Sequence, residues 1–105
     1  MKITKFGHCC LLIEEAGVRI LTDPGTFTSA QDELKNLDLV LITHEHQDHF
    51  HIDSVKKIVS NNPEATIITN AAVGKLLDEQ NIVYKKISNG EKASIKNVLI
   101  EGFGF

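Results

Sequence analysis

The chain has 105 residues, of which 42% are hydrophobic and 24% charged, and its formal net charge is −3 at pH 7. This length allows one small domain with a buried core, so we treat residues 1–105 as a single unit. The mildly acidic balance, the scattered lysines and the lack of any long apolar run or signal-peptide pattern exclude nucleic-acid binding and membrane insertion, and predict a cytoplasmic protein.

Short strands open the chain. Apolar and β-branched residues predict strands over 2–6, 9–15 and 18–22, and Glu15-Ala16-Gly17 joins the last two as a tight connection. Asp23-Pro24-Gly25 ends the third strand and begins a loop. The first quarter of the chain is therefore predicted to be a β-meander.

A buried strand follows the meander. Residues 29–35 suit a short helical turn with Ser29 as its cap, and its acidic residues lie near the positive end of the helix dipole. Residues 39–43 form a nearly continuous apolar run, which is typical of a strand covered on both faces.

Two helices then alternate with strands. The first has apolar residues at helical spacing, with Asp53 as its expected N-cap and Asn61-Asn62-Pro63 as its end; these apolar residues are Ile52, Val55, Ile58 and Val59. A strand over 65–69 leads into a second helix capped by Thr69 or Asn70, with Ala72, Val73, Leu76 and Leu77 facing inward.

Gly74 weakens the second helix by about 1 kcal/mol relative to alanine. After this helix, the last part of the chain is predicted to be mainly extended. Strands are expected over 82–87, 93–96 and 98–101, with Asn89-Gly90 as a turn. The order of elements implies an α/β fold with one mixed sheet and helices on one face. Because the other face is also apolar, we expect it to associate with a second copy of the chain in a homodimer.

Potential metal ligands are concentrated in one segment directly after the buried strand, His44-Glu45-His46-Gln47-Asp48-His49. If the chain leaves the strand extended, His44 and His46 project to the same side and hold one ion, while Glu45 and Gln47 point outward. Asp48 and His49 then face a second ion or the same ion from another side. Imidazole and carboxylate suit zinc, the default, as well as manganese and iron.

This pattern carries a family resemblance. His-x-His-x-Asp-His after an apolar strand resembles the metal motif of the metallo-β-lactamase superfamily, and all four motif positions match. Phe6-Gly7-His8 and the segment from Val18 to Gly25 are similar to the opening of the branch that includes L-ascorbate-6-phosphate lactonase-like hydrolases. The resemblance implies the N-terminal half of an αββα sandwich.

The resemblance also implies an activity. Members use metal-activated hydroxide to cleave an ester, lactone, amide or phosphodiester of a small molecule, and His44 and His46 bind the first of one or two ions. Asp48 binds the second ion with His49 and orients the water. The family's second half supplies further ligands, and this chain has no histidine after His51. We therefore expect a truncated chain with impaired activity; the alternative is a non-catalytic, self-associating metal-binding module.

Several residues near the motif have two interpretations. His8 either contacts substrate at the rim of the site, as a catalytic residue, or is a buried, hydrogen-bonded histidine. Asp23 either forms a turn or supports a metal-bound histidine. His51 is favoured as a surface or helix-capping imidazole. Cys9 and Cys10 are expected to be reduced and buried, and a metal or redox role gains support only if one of them lies beside the metal loop.

Overall fold

The computed structural model describes residues 1–7, 9–25, 29–46, 49–96 and 98–102. These residues form strands, two α-helices and a short 3-10 helix. In chain order the elements are β1 (Lys2–Gly7), β2 (Cys10–Glu15), β3 (Val18–Thr22), the 3-10 helix (Ala30–Glu33), β4 (Leu39–Ile42), α1 (Ile52–Asn61), β5 (Thr66–Thr69), α2 (Ala71–Glu79), β6 (Lys85–Lys86), β7 (Lys92–Ile95) and β8 (Val98–Glu101). The predicted elements are therefore present, with ends that differ by a few residues and a much shorter sixth strand.

A six-stranded mixed sheet organises the domain, in the order β1-β2-β3-β4-β5-β6. The meander β1-β2-β3 pairs antiparallel, whereas β3, β4, β5 and β6 pair parallel. Because parallel strands end at the same edge, the loops that follow β3, β4 and β5 meet there. Asp23, the histidine motif and Asn70 begin these three loops.

Both helices pack on one face of this sheet, as predicted. Val55 and Ile58 of α1 and Val73 and Leu77 of α2 are buried in one cluster with alternate strand residues, which include Cys10, Leu12, Leu21, Val40, Ile42 and Ile67. The period of two along each strand sends one set of side chains to this face and the other set to the opposite face. The α/β class and the helices on one face are confirmed.

The second face differs from the prediction in one respect. The strands β7 and β8 form a separate two-stranded sheet and do not extend the main one. Ala93 of this hairpin is buried against Leu39 and Ile68, and partly buried residues of both sheets surround them. The hairpin therefore covers the centre of the apolar face that we expected to lie open. Since Ile3 of β1 stays 58% exposed, the homodimer stays a prediction with a smaller apolar surface to support it.

Two of the predicted helix caps are wrong. His51 occupies the N-cap position of α1, where Asp53 was expected, and its Nδ1 lies 3.1 Å from Ser54 Oγ. Ser29 precedes the 3-10 helix without a side-chain capping bond. For α2, Asn70 is the cap, and its Oδ1 accepts a hydrogen bond from the Val73 amide at 2.9 Å. None of the helices in the described ranges is long and apolar enough to cross a membrane.

Gly74 lies inside α2 although glycine is a poor helix former, and the close approach of Tyr84 explains its presence there. A Cβ built at this position would lie 2.6 Å from the ring and the hydroxyl of Tyr84, which packs over the helix and donates a hydrogen bond to Asp78. We expect Gly74→Ala to gain little or no stability, because the partly exposed Tyr84 ring must move aside and this offsets the better helix propensity.

A double-mutant cycle separates these two effects. In a Tyr84→Leu background the ring is absent, so Gly74→Ala should stabilise the fold by about 0.5–1 kcal/mol. Urea unfolding of the four proteins measures both values. An equal gain from Gly74→Ala in both backgrounds would contradict the steric explanation.

Candidate metal centre

Hydrogen bonds from β5 and the start of α2 hold the beginning of the histidine motif. Thr69 Oγ1 donates to the Ile42 carbonyl at 2.8 Å, and Asn70 Nδ2 donates to the Thr43 carbonyl at 3.1 Å. Asn70 therefore ties the N-terminus of α2 to the last residue before His44. These bonds position the loop that carries the motif at the carboxyl edge of the sheet.

The first part of the motif gathers three ligand-bearing side chains. One ligand atom from each of His44, Glu45 and His46 lies within 4.8 Å of the other two. The two imidazole rings meet edge to face with their centroids 3.9 Å apart. The predicted juxtaposition of His44 and His46 is therefore present in the structure.

Glu45 differs from the prediction. Its carboxylate does not point away from the histidines, since Oε1 lies 3.2 Å from His44 Nε2. The prediction assumed that the chain stays extended beyond the strand, but β4 ends at Ile42 and residues 45 and 46 form a bend. A bend abolishes the alternation of side chains, so neighbouring residues face the same space.

His49 is held by a buried carboxylate from another loop. Its Nδ1 lies 3.1 Å from Asp23 Oδ2. Asp23 also accepts hydrogen bonds from the Thr43 amide at 2.7 Å and from Thr43 Oγ1 at 2.8 Å. Its φ of 41° lies in the left-handed region, which aspartate tolerates better than most residues. Of its two interpretations, the structure shows the contact that support of a histidine requires.

Cys9 lies beside the same imidazole. Its Sγ is 3.7 Å from His49 Nε2, on the side of the ring opposite Asp23. Cys10 is instead buried in the helix-side core, and burial, assisted by the charges of Asp23 and Asp32, raises the pKa of its thiol to about 12. Cys10, the first residue of β2, therefore has its thiol in the core, whereas Cys9, directly before the strand, has its thiol at the site.

The contact between Cys9 and His49 was not predicted from the sequence, because 40 positions separate the two residues. A signal was nonetheless present in the predicted meander. In an antiparallel pair the start of β2 lies opposite the end of β3, and Leu11 indeed pairs with Thr22. Cys9 therefore lies near Asp23.

Two of the predicted site residues, His8 and Asp48, lie outside the described residues, as does Gln47. Among the described motif residues, the ring centroids of His44 and His49 are 5.6 Å apart, so the two ends of the motif face a common space. His51 contacts Ser54 at the start of α1, as expected for a helix-end imidazole.

A cavity of about 750 Å³ adjoins His44 and Glu45. Apolar side chains of both sheets form much of its wall, including Leu41, Ile68 and Ile100. Polar residues also line it, among them Asn70 and Ser88. A largely apolar cleft with a few polar groups is the usual form of a small-molecule site.

The donor set fits a divalent cation. Imidazole nitrogens, carboxylates and a thiol are the side-chain ligands that zinc accepts in proteins. Asp23 supplies the partner that a metal-binding histidine usually has on its second nitrogen. The described residues therefore carry donor atoms that suit a divalent ion, with Asp23 as outer support, at the edge of an open cavity.

Comparison with known proteins agrees with this geometry. The profile of the beta-lactamase superfamily domain matches residues 2–105. A protein of Mycobacterium tuberculosis is 30% identical over 104 residues, which cover 99% of this chain and 48% of that protein. A protein of Methanosphaera stadtmanae named UPF0173 metal-dependent hydrolase is 35% identical over 104 residues, which cover 94% of this chain and 43% of the relative.

A solved structure shares the fold. Igni18, described as a metallo hydrolase from Ignicoccus hospitalis, is 29% identical and superposes with a TM-score of 0.67, covering 88% of this chain and 41% of that one. The chain spans about half the length of the curated relatives that it matches. The histidine motif, its position at the carboxyl edge of the sheet and the profile match over nearly all residues agree, and the chain belongs to the metallo-β-lactamase superfamily.

Proposed function

We propose that this chain carries the metal-binding half of a hydrolase site. His44 and His46 hold one divalent ion, and Asp48 and His49 hold a second. The observation that carries the proposal is the convergence of the His44, Glu45 and His46 ligand atoms within 4.8 Å, next to an open cavity. Relatives that cover most of this chain are named metal-dependent hydrolases, which supports the same activity.

Each residue then has a distinct task. A bound divalent ion lowers the pKa of water and polarises the oxygen that gains charge during hydrolysis. Asp23 fixes the His49 ring through Nδ1, and Nε2 then lies toward the site, 3.7 Å from Cys9 Sγ. Asp48 orients the attacking water, and His8 contacts the substrate at the rim. Glu45 faces His44 and adds negative charge beside the ligand atoms.

The substrate in this proposal is a small molecule with an ester, lactone, amide or phosphodiester bond. The cavity beside His44 accommodates its non-reacting part, and the apolar wall favours a substrate with hydrocarbon surface. Zinc is the proposed metal, because imidazole and carboxylate ligands suit it and because hydrolysis requires no redox-active metal. The proposed location is the cytoplasm, where Cys9 and Cys10 remain reduced.

The test combines zinc binding with turnover of a generic nitrophenyl ester and a nitrophenyl phosphodiester. We expect the zinc-loaded chain to hydrolyse one of them slowly. His46→Ala should lower the rate by about tenfold or more, since loss of even an outer partner of a ligand has an effect of this size. His51→Ala is the matched control, because this imidazole contacts Ser54 and should leave turnover unchanged.

Two outcomes would count against the proposal. Zinc binding without turnover of either substrate, both in this chain and in a version extended at its C-terminus with the second half of a relative, would favour the non-catalytic metal-binding module. Equal turnover in His46→Ala and the unaltered chain would show that the motif does not perform the reaction.

A further inference from the structure

We propose that Cys9 is an additional ligand of this centre, which binds through its thiolate the same divalent ion as His49 Nε2. The inference rests on the proposed metal centre and extends its ligand set beyond the histidine motif. As the sulfur–metal bond forms, the thiol loses its proton to solvent, and no redox step is involved.

The distance between the two donor atoms fits a shared ion. Zinc–sulfur and zinc–nitrogen bonds of about 2.3 and 2.0–2.1 Å, at a near-tetrahedral angle, place sulfur and nitrogen about 3.6 Å apart. Cys9 Sγ and His49 Nε2 are 3.7 Å apart. Binding of an ion between them therefore requires almost no change in their separation.

Asp23 fixes which nitrogen of His49 is available to bind the ion. Asp23 Oδ2 contacts Nδ1, and the proton that this bond requires on Nδ1 leaves a lone pair on Nε2. Cys9 Sγ lies 3.7 Å from this nitrogen. Asp23 is buried and also bonded to Thr43, so the ring is fixed before an ion arrives.

The backbone places Cys9 at the site and not in the core. Its carbonyl accepts a hydrogen bond from Thr22 Oγ1 at 3.2 Å, at the end of β3 that leads to Asp23. The pairing of β1 with β2 is irregular between Lys5 and Gly7, next to this point. The thiol is only partly buried, whereas Cys10 is enclosed.

Two ions need more protein ligands than the histidine motif supplies, and Cys9 adds one. Two ions with about three protein ligands each need roughly six contacts, some of which are bridging. The motif supplies His44, His46, Asp48 and His49. Cys9 adds a fifth residue from within this chain, and a thiolate shifts the preference of the centre from manganese toward zinc.

The test is titration of the purified chain with cobalt(II), followed by absorption spectroscopy. Thiolate ligation produces an intense sulfur-to-cobalt charge-transfer band in the near ultraviolet, which imidazole and carboxylate ligands do not produce. We expect this band in the unaltered chain and in Cys10→Ala, the matched control whose thiol lies in the core. Cys9→Ser should lack the band and bind zinc about tenfold or more weakly, with a smaller change for manganese.

The outcomes separate the two proposals. Cobalt binding without the band, or the same band in Cys9→Ser, would overturn the role of Cys9 and leave the histidine centre intact. Failure of the folded chain to bind cobalt or zinc at all would overturn the metal centre and the role of Cys9 with it. Circular dichroism of each variant shows whether the fold is retained.

Discussion

Asp23→Asn is expected to weaken the binding of the zinc ion held by His49 while leaving the fold nearly intact. The carboxylate of Asp23 accepts a hydrogen bond from the Nδ1–H of His49, whereas an asparagine amide at the same place can donate a hydrogen bond to Nδ1. The imidazole then carries its proton on Nε2, the atom directed toward the site, and cannot bind an ion through it. We expect zinc affinity to fall by about ten- to a hundredfold.

Asp38→Asn is the matched control. Asp38 accepts a hydrogen bond from the Arg19 amide at 2.8 Å and pairs with Lys96, so it too is a bonded carboxylate, but it precedes β4 at the opposite edge of the sheet. Isothermal titration with zinc should give the unaltered affinity for this variant. Equal affinities in Asp23→Asn and the unaltered chain would contradict the assigned role of Asp23.

Asn62→Ala is expected to cause the largest loss of stability. Asn62 is buried, and its Oδ1 accepts from the Leu37 amide at 2.9 Å while its Nδ2 donates to the Leu34 and Ile58 carbonyls at 2.8 and 2.9 Å. Removing the side chain leaves three backbone groups without these partners. Since an unsatisfied buried group costs about 1–3 kcal/mol, we expect a loss of about 3 kcal/mol in the free energy of unfolding.

The neighbouring residue provides the comparison. Asn61 Nδ2 makes one hydrogen bond, to the Asp32 carbonyl at 3.1 Å, and the side chain is only partly buried. Asn61→Ala should therefore cost about 1 kcal/mol or less in urea unfolding. Similar losses for the two variants would show that the Asn62 bonds do not hold the loop before β4 to the end of α1.

Local patterns predicted most elements of this fold. The meander follows from short apolar runs separated by turn residues, and β3 has the predicted bounds, Val18–Thr22. The helix α1 follows from apolar residues at helical spacing, because that spacing requires a buried face. The capping role of Asn70 was also predictable, since an asparagine side chain can bond to a free amide of the first turn.

Features that depend on distant contacts were not predictable in the same way. Alternating side chains in β7 and β8 predict a pair of strands, but not that the pair leaves the main sheet and covers its second face. Asn62 looks like an ordinary helix end in the sequence, although it also bonds to the loop before β4. These contacts depend on tertiary packing, which local propensity does not specify.

In the candidate site too, the local motif was predictable and the contacts that depend on tertiary structure were not. The motif itself identified His44, His46 and His49 as residues of one site, and the structure brings their rings together. The orientation of Glu45 was wrong because the chain bends directly after β4. The approach of Cys9 required the register of β2 against β3, which the sequence left open.

The most direct test of the metal centre is equilibrium titration of the purified chain with zinc, with the double variant His44→Ala/His46→Ala and the control His51→Ala. We predict that the unaltered chain and the control bind at least one ion per chain with the same affinity. The double variant should lose at least one bound ion or bind it far more weakly. Equal stoichiometry and affinity in all three proteins would contradict the assignment of the histidine motif as a metal centre.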